Sequence, residues 1–551
     1  MKRRETPILV VGAGPTGLTM ACELARHGAP MRIVEKLPGI VPYTRATSIH
    51  SRTLEVFQDL GVVDPFLALG QPIRGINLYA NGERFLHARY YEVDSPYALP
   101  IAIEQWHTEE ILEGLLRRLG VQVERETEFV EMEDLLDGIR VTLRHRDGSE
   151  ETLETPWLVA CDGAHSRVRH LNRQRFPGEV DPRQYVLADV VVETPHVPDE
   201  YHTFLTDRGA LFFLPLPKGR IVVAADIPDL HDGKVETPKL EEIQSLVTDR
   251  GPAGARVRDP RWLGYFRIHY RVSRHYRHGR TLLAGDAVHV HSLVGGQGLN
   301  TGIQDAYNLA WKLALVTQGR APQSLLDTYE KERRGVAEDV VRTTKVMTDR
   351  AEIFPDLSAA DRERLYFHAV VPEAERVRKR RHMEEIDLDY RKSPICAEHL
   401  DRYGKGASFA GGPHAGAEAV DAGPLFVKDH KLTLFELLRG PRHTMLLFLG
   451  NRGGEASRAR LADLAAAMVP SYRELVEVYL VAPRSGGDAE DSVTGTPVVR
   501  DPEGALHTRY GADAECLYLI RPDGYVGYRS KPASLQPLRE YLGRVFSGVY
   551  D

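Results

Sequence analysis

Two acidic residues in this chain each close an apolar run beside a glycine. Asp162 ends "WLVACDG", and Asp286 lies within "GRTLLAGDAVHVHS". A carboxylate at the C-terminal edge of a strand lies where open α/β sheets bind ligands. Two glycine-rich loops accompany them. Near the start, "GAGPTG" sets Gly12, Gly14 and Gly17 in the spacing G-x-G-x-x-G; in the middle, "GGQGLN" supplies Gly295, Gly296 and Gly298. A loop of this kind at the mouth of a helix presents unpaired backbone N–H groups and the positive end of the helix dipole, which suits an anion. The implied chemistry is a ligand held at two separate places.

The elements that must position these residues can be read from the pattern. Residues 8–11 read as a short buried strand, and the pattern from the glycine loop to His27 reads as a helix. In that order the first glycine makes the turn, the second admits a pyrophosphate, and the third lets helix and strand pack closely. A second strand, "MRIVEK", delivers Glu35 about 18 residues after Gly17, where an acid hydrogen-bonds ribose hydroxyls and repels a 2′-phosphate. FAD or NAD therefore suits this loop. The helix opened by "GGQGLN" carries Ala306, Ala310 and Ala314 four apart, a face of small residues suited to close packing, with Trp311 and Leu315 as core.

Composition bounds the rest. With 551 residues, a prior of about 150 per domain gives roughly three or four domains. Hydrophobic content of 42% is that of an ordinary globular protein, and a net charge of -7 argues against nucleic acid, which favours a basic face. Four cysteines without a CxxC pair suit a reduced, cytoplasmic protein. The basic, apolar start loosely imitates a signal peptide, but its glycines and Pro15 suit a phosphate loop better. No apolar run of about 18 residues suggests a membrane span. "HVH" at 289–291 has no supporting cluster, so no metal site is expected.

"GAGPTG", "CDGAHSRVR" and "GDAVHVHSLVGGQGLNTGIQDAYNLAWKLA", in this order, resemble the three signature motifs of single-component FAD-dependent aromatic hydroxylases. This is the p-hydroxybenzoate hydroxylase-like superfamily, in particular its phenol and polyketide hydroxylase branch with a further C-terminal domain. The resemblance covers nearly the whole chain. It implies an α/β fold: a Rossmann-like FAD-binding domain, an inserted β-sheet substrate domain and a C-terminal thioredoxin-like domain. The expected boundaries are 1–175 and 276–345 for the two parts of the FAD-binding domain and 176–275 for the substrate sheet. A helical connector at 346–405 and a thioredoxin-like domain without CxxC at 406–551 would follow.

The resemblance also implies roles. The adenosine end of FAD would meet the first loop and Glu35, with Arg45 near the pyrophosphate and Gln105 on the sugar-phosphate chain. Asp286 would hold the ribitol, and Gly298, Leu299 and Asn300 would approach the pyrimidine edge of the ring beyond Gly295 and Gly296. Asp162 would serve both FAD and a transient NADPH or NADH. The implied reaction is hydroxylation of a phenolic or other electron-rich small aromatic substrate with O2, through a flavin C4a-hydroperoxide. The same motifs serve epoxidation, Baeyer–Villiger insertion and antibiotic modification. A non-catalytic FAD-fold binding protein is a further reading, against which the intact motifs count. A homodimer is the family expectation.

Two departures bear on chemistry. Thr47 stands where phenol hydroxylases carry an aspartate, and threonine cannot take a proton at neutral pH; His50, Tyr265 and His269 are alternatives of the right type. Leu293 stands where relatives usually carry proline, freeing φ and adding an N–H. In "GYFRIHYRV", Phe266, Ile268, Tyr270 and Val272 alternate with Tyr265, Arg267, His269 and Arg271, so one set is buried and the other faces flavin or water. The run "RVRKRRHMEEIDLDY" reads as a solvated helix face. The C-terminal segment, lacking CxxC, is expected to pack, stabilise or dimerise.

Overall fold

The computed structural model describes residues 7–42, 46–80, 82–90, 93–196, 198–227, 237–353, 373–400, 409, 411–451, 454–483, 492–493 and 495–547. The strand Ile8–Val11 is apolar at every position and buried at every position, as a strand flanked by helices on both faces must be. It pairs in parallel with Arg32–Val34 on one side and Trp157–Ala160 on the other, and Thr281–Leu283 lies beyond. These four neighbours run the same way. Asp286, Asp162, Gly12 and Glu35, each following its strand, therefore emerge along one edge of the sheet in that order.

Helix Pro15–Arg26 follows the first loop and packs on helix Gln297–Thr317, whose Ala306, Ala310 and Ala314 are buried. Gly302 permits the crossing: a Cβ there would lie 2.5 Å from Thr16 Oγ1 and 3.2 Å from Gly285 Cα. A three-stranded antiparallel sheet, Thr127–Asp134, Ile139–His145 and Glu150–Thr155, leads into Trp157–Ala160.

The second large sheet has eight strands and is mostly antiparallel. Gly178–Glu193, Glu200–Thr206, Gly209–Leu216, Arg220–Ile227 and Arg256–Val272 supply its body. It is not confined to 176–275. Gly75–Ala80 and Glu83–Arg89 complete one side, and His289–Val290 pairs with Arg271 and Val272 on the other. The sheet is thereby tied to the third motif by backbone bonds. One face is covered by helix Leu240–Arg250 through Val186, Phe204, Leu211 and Val247. On the opposite face Leu187, Leu216, Val222 and Ala224 pack with Phe212, Trp262, Phe266 and the loop residue Leu293.

The C-terminal sheet contains the parallel pair His443–Phe448 and Val476–Pro483, joined by helix Glu455–Tyr472, and the antiparallel pair Cys516–Ile520 and Val526–Lys531. Ala397–Leu400, within the expected connector, instead joins this sheet in parallel beside Val526–Lys531. Residues 354–372 and 401–408 of the connector and linker lie outside the described set. A buried ionic cluster links this unit to helices Gln297–Thr317 and Asp327–Ile353. Arg521 pairs with Glu332 at 2.8 Å and with Asp523, Lys312 Nζ meets Glu332 at 2.7 Å, and Trp311 Nε1 donates to Asp523 at 3.1 Å. Charges this deeply buried hold only as a complete set, because removing one partner strands another.

Candidate active site

The first loop is shaped by contacts that exclude side chains at two of its glycines. A Cβ on Gly12, at φ +99, would lie 2.3 Å from the Cys161 carbonyl oxygen, and one on Gly17 1.9 Å from the Gly12 carbonyl oxygen. Gly14 differs: nothing stands within 4 Å of its Cβ position. Glu35 closes the loop, accepting from Ala13 N at 2.8 Å and Leu37 N at 3.0 Å. Gln105 begins helix Gln105–Arg118 and donates to Glu109 Oε1 at 2.9 Å. Burial pushes the Glu109 carboxyl up, and Glu35 is among the charges that reach it, so Gln105 belongs to the Glu35 end of the site. Arg45 lies outside the described residues.

Asp162 accepts from Val168 N at 3.1 Å through one oxygen, while its other oxygen is buried without a partner. Burial raises its pKa. Arg169 joins the second motif to the third, donating to the Ala164 and Ala287 carbonyls, both at 2.8 Å. The turn Gly285–Ala287 so fixed carries Asp286, which is exposed at the same sheet edge as Asp162.

The third loop turns through Gly295 at φ +88 and Gly296 at φ +65, left-handed conformations that glycine adopts without strain. Asn300 then clamps the loop to the segment bearing Thr47 and His50. Its Nδ2 donates to Ser48 O at 3.0 Å and Gly296 O at 2.8 Å, and its Oδ1 accepts from His50 N at 2.9 Å. Burial holds the His50 ring below its ordinary pKa, and its Nδ1 has no partner. Thr47 is buried, its carbonyl accepting from Ile103 N at 2.9 Å. Burial, then His289, lower His291 to about 4; its Nε2 is buried and unpartnered, 3.5 Å from a Cβ position on Gly298. Open space over Gly14 and unpartnered atoms at Asp162 and His291 fit a long ligand with phosphates at one end and polar ring edges at the other.

Residues 5–344 match the family model described as FAD binding domain. The chain belongs to this family. It is 33% identical to 6-methylpretetramide 4-monooxygenase of Streptomyces rimosus, covering 96% of this chain and 92% of that one. It is 29% identical to pentachlorophenol 4-monooxygenase of Sphingobium chlorophenolicum, over 96% and 94%. The solved ternary complex of aklavinone-11 hydroxylase with FAD and aklavinone superposes with a TM-score of 0.76 at 25% identity, over 99% of both chains. The protein is an FAD-dependent monooxygenase of the aromatic hydroxylase kind.

Within this monooxygenase, two of the candidate bases point elsewhere. Tyr265 packs on the helix-covered face and donates to Glu242 at 2.5 Å, on the side of the sheet opposite Leu293. It is Phe266, with Trp262, that meets the loop; the alternation was legible, its direction was not. His269 belongs to a basic edge. After burial, the charges of Arg271, His165 and Arg267 hold it below its ordinary pKa, and Arg271 is also felt by Arg169 beside Asp162. His50 alone of the three reaches the third loop.

The run "RVRKRRHMEEIDLDY" is a solvated face only in part: Arg378 and Lys379 are exposed, but other members turn inward. Arg380 is buried with its guanidinium 3.9 Å from the Tyr90 ring centroid, and Glu384, Glu385, Ile386 and Tyr390 are buried. Glu384 accepts from Ser51 N at 2.8 Å, next to His50. His289 pairs with buried Asp305 at 2.8 Å, and Asp305 pairs with Arg333 at 2.8 Å. These supports of the third glycine loop were missed in the sequence because a charge run gives no sign of which members turn inward. Among the described residues no helix is long and apolar enough to cross a membrane.

Proposed function

We propose that this FAD-dependent monooxygenase hydroxylates an extended phenolic aromatic, with NAD(P)H as electron donor and O2 as oxygen source. The observation that carries the reading is the apolar wall of Phe212, Leu214, Trp262 and Phe266 meeting Leu293 of the third glycine loop. Flat aromatic substrates bury large area against such a wall, and their orientation is fixed by stacking and edge contacts. Relatives named for 6-methylpretetramide and pentachlorophenol support an aromatic substrate class. Bound FAD supplies the electron and oxygen transfer.

The chain's own residues bind, orient and exclude water. Gly12, Gly14, Gly17 and Glu35 would hold the adenosine and pyrophosphate end, with Gln105 at the Glu35 end of the site. Asp286 would hold the ribitol, and Gly295, Gly296, Gly298, Leu299 and Asn300 would carry the pyrimidine edge, where the helix N-terminus favours negative charge. The basic edge beside His269 offers the visiting nucleotide the cationic Arg267 and Arg271 near Asp162. The wall residues carry no titratable group; their work is positioning and desolvation. His50, neutral and with a bare Nδ1, is the candidate proton acceptor at the loop.

For the organisation of the chain we propose the FAD-binding, substrate and C-terminal units described above, the last of thioredoxin-like design. Its central parallel pair linked by a helix supports this. A cytoplasmic setting is supported by four free cysteines. The test follows NAD(P)H consumption and peroxide release together over phenols of one to four rings. The reading expects polycyclic phenols to accelerate consumption with little peroxide. Consumption that no phenol accelerates would reject it.

A further inference from the structure

Glu385 lies beneath the third glycine loop, 1% exposed and at φ +58, a conformation a glutamate keeps only where its surroundings enforce it. Thr301 Oγ1 donates to one carboxyl oxygen at 2.6 Å, and Gln304 Nε2 donates to the other. Thr301 directly follows Asn300, so this carboxyl grips the first turns of the helix that the loop opens. On its other side Glu385 lines a cavity of about 290 Å³ shared with Gln297, Asp339, His382 and Asp387. At about 30 Å³ per water, that volume admits several.

The groups around it leave the carboxyl two arrangements. The Gln304 Oε1 is buried without a partner. An ionised Glu385 accepts from the Gln304 amide N–H; a protonated one can donate to that oxygen once the amide turns over. The facing charges are Asp305 on helix Gln297–Thr317, Arg333 and Asp339 on helix Asp327–Ile353, His289 before the loop, and His382 and Asp387 on its own segment. Arg333 and His289 are both committed to Asp305. Burial therefore dominates and pushes the Glu385 carboxyl up to about 7.

We infer that Glu385 is a proton-exchanging positioning residue, trading a proton with cavity water and so setting the charge under the helix turn that faces the flavin. The inference rests on the flavin's pyrimidine edge lying at Gly298–Asn300. When negative charge builds at that edge, the carboxylate takes one proton from solvent and becomes neutral; when the charge leaves, the proton returns. The O–H bond is the only bond made or broken at Glu385, and nothing in the protein is oxidised or reduced.

The test is the reduction potential of the FAD-loaded protein against pH, from about 6 to 8, in the wild type and in Glu385→Gln. One linked proton changes the reduction equilibrium up to tenfold per pH unit, ~30 mV for a two-electron couple. The wild-type slope should exceed the variant's by up to that amount near pH 7; equal slopes overturn the inference. A second measurement needs no variant. The reduced-minus-oxidised infrared spectrum of the wild type at pH 8, with and without isotope-labelled glutamate, should gain a protonated glutamic carboxyl band, and its absence overturns the inference. Gly298→Val separates the two ideas. If that variant keeps FAD as tightly as the wild type, the placing of the flavin edge fails and the inference with it. Equal slopes together with FAD loss from Gly298→Val reject the role of Glu385 alone.

Discussion

Asn300 and Ser48, 252 positions apart in the chain, are joined by a buried hydrogen bond of 3.0 Å from the Asn300 amide to the Ser48 carbonyl. The same side chain accepts from His50 N at 2.9 Å, so one carboxamide sets the gap between the third glycine loop and the strand-to-helix turn opposite. Asn300→Ala leaves both backbone groups buried and unpaired, at a cost of about 1–3 kcal/mol each. The melting temperature should fall by several degrees, and FAD affinity should weaken at least ~10-fold, about 1.4 kcal/mol. Flavin fluorescence on titration of apoprotein reads the second effect.

Gly14 and Gly17 separate ligand space from protein space. Gly17→Ala forces a Cβ to 1.9 Å from the Gly12 carbonyl oxygen and should destabilise the apoprotein severely. Gly14→Ala meets no protein atom within 4 Å, so apoprotein stability should stay within about 0.5 kcal/mol while FAD binding is lost or much weakened. Thermal melts of the apoprotein alongside FAD titration distinguish the two.

Tyr265 and His269 should fail differently. Tyr265→Phe removes a hydroxyl bonded to Glu242 on the far face of the sheet, and kcat should stay within about twofold. His269→Gln should raise the KM for NAD(P)H several-fold and leave the KM for the aromatic substrate unchanged, because its neighbours are Arg267, Arg271 and His165. A rise confined to the aromatic KM would place His269 on the substrate wall instead.

His382 links the helix Glu373–Met383 to the helix Asp327–Ile353. Its ring meets Asp339 at 2.7 Å and Asp387 at 3.3 Å, and these two carboxylates raise it to about 10. A folded pKa above the unfolded value near 6.5 means that the stabilisation is full below pH 6.5 and is lost as pH rises through about 10. His382→Gln should therefore melt a few degrees below the wild type at pH 6, and the gap should close at high pH. Because the ring is half-exposed, salt should narrow the gap too.

The nucleotide-binding edge was legible in the sequence because local chemistry dictates it. A tight turn needs Gly12, close packing needs Gly17, and strand ends deliver Glu35, Asp162 and Asp286 to one side. The substrate sheet was legible as strands but not as a surface. Period-two alternation in "GYFRIHYRV" is the same whichever face meets the flavin, and only pairing with Gly178–Glu193 and covering by helix Leu240–Arg250 settles that Phe266 points to Leu293. Gly75–Ala80 pairs locally only with its hairpin partner Glu83–Arg89; that the hairpin joins this sheet escaped because the joining strand, Glu200–Thr206, lies more than a hundred residues on. The buried ions Glu385, Arg333 and Arg521 were invisible for a related reason. Burial of a charge depends on partners from other segments, and a charged residue looks solvent-facing until they are placed.

The most direct test of the central claim is turnover of the FAD-loaded protein with NAD(P)H under 18O2, using the polycyclic phenol that most accelerates NAD(P)H consumption. The account predicts a hydroxylated product carrying one 18O atom per new hydroxyl, with the other oxygen atom released as water. A product bearing oxygen only from solvent, or NAD(P)H consumed entirely to peroxide with the phenol unchanged, would contradict it.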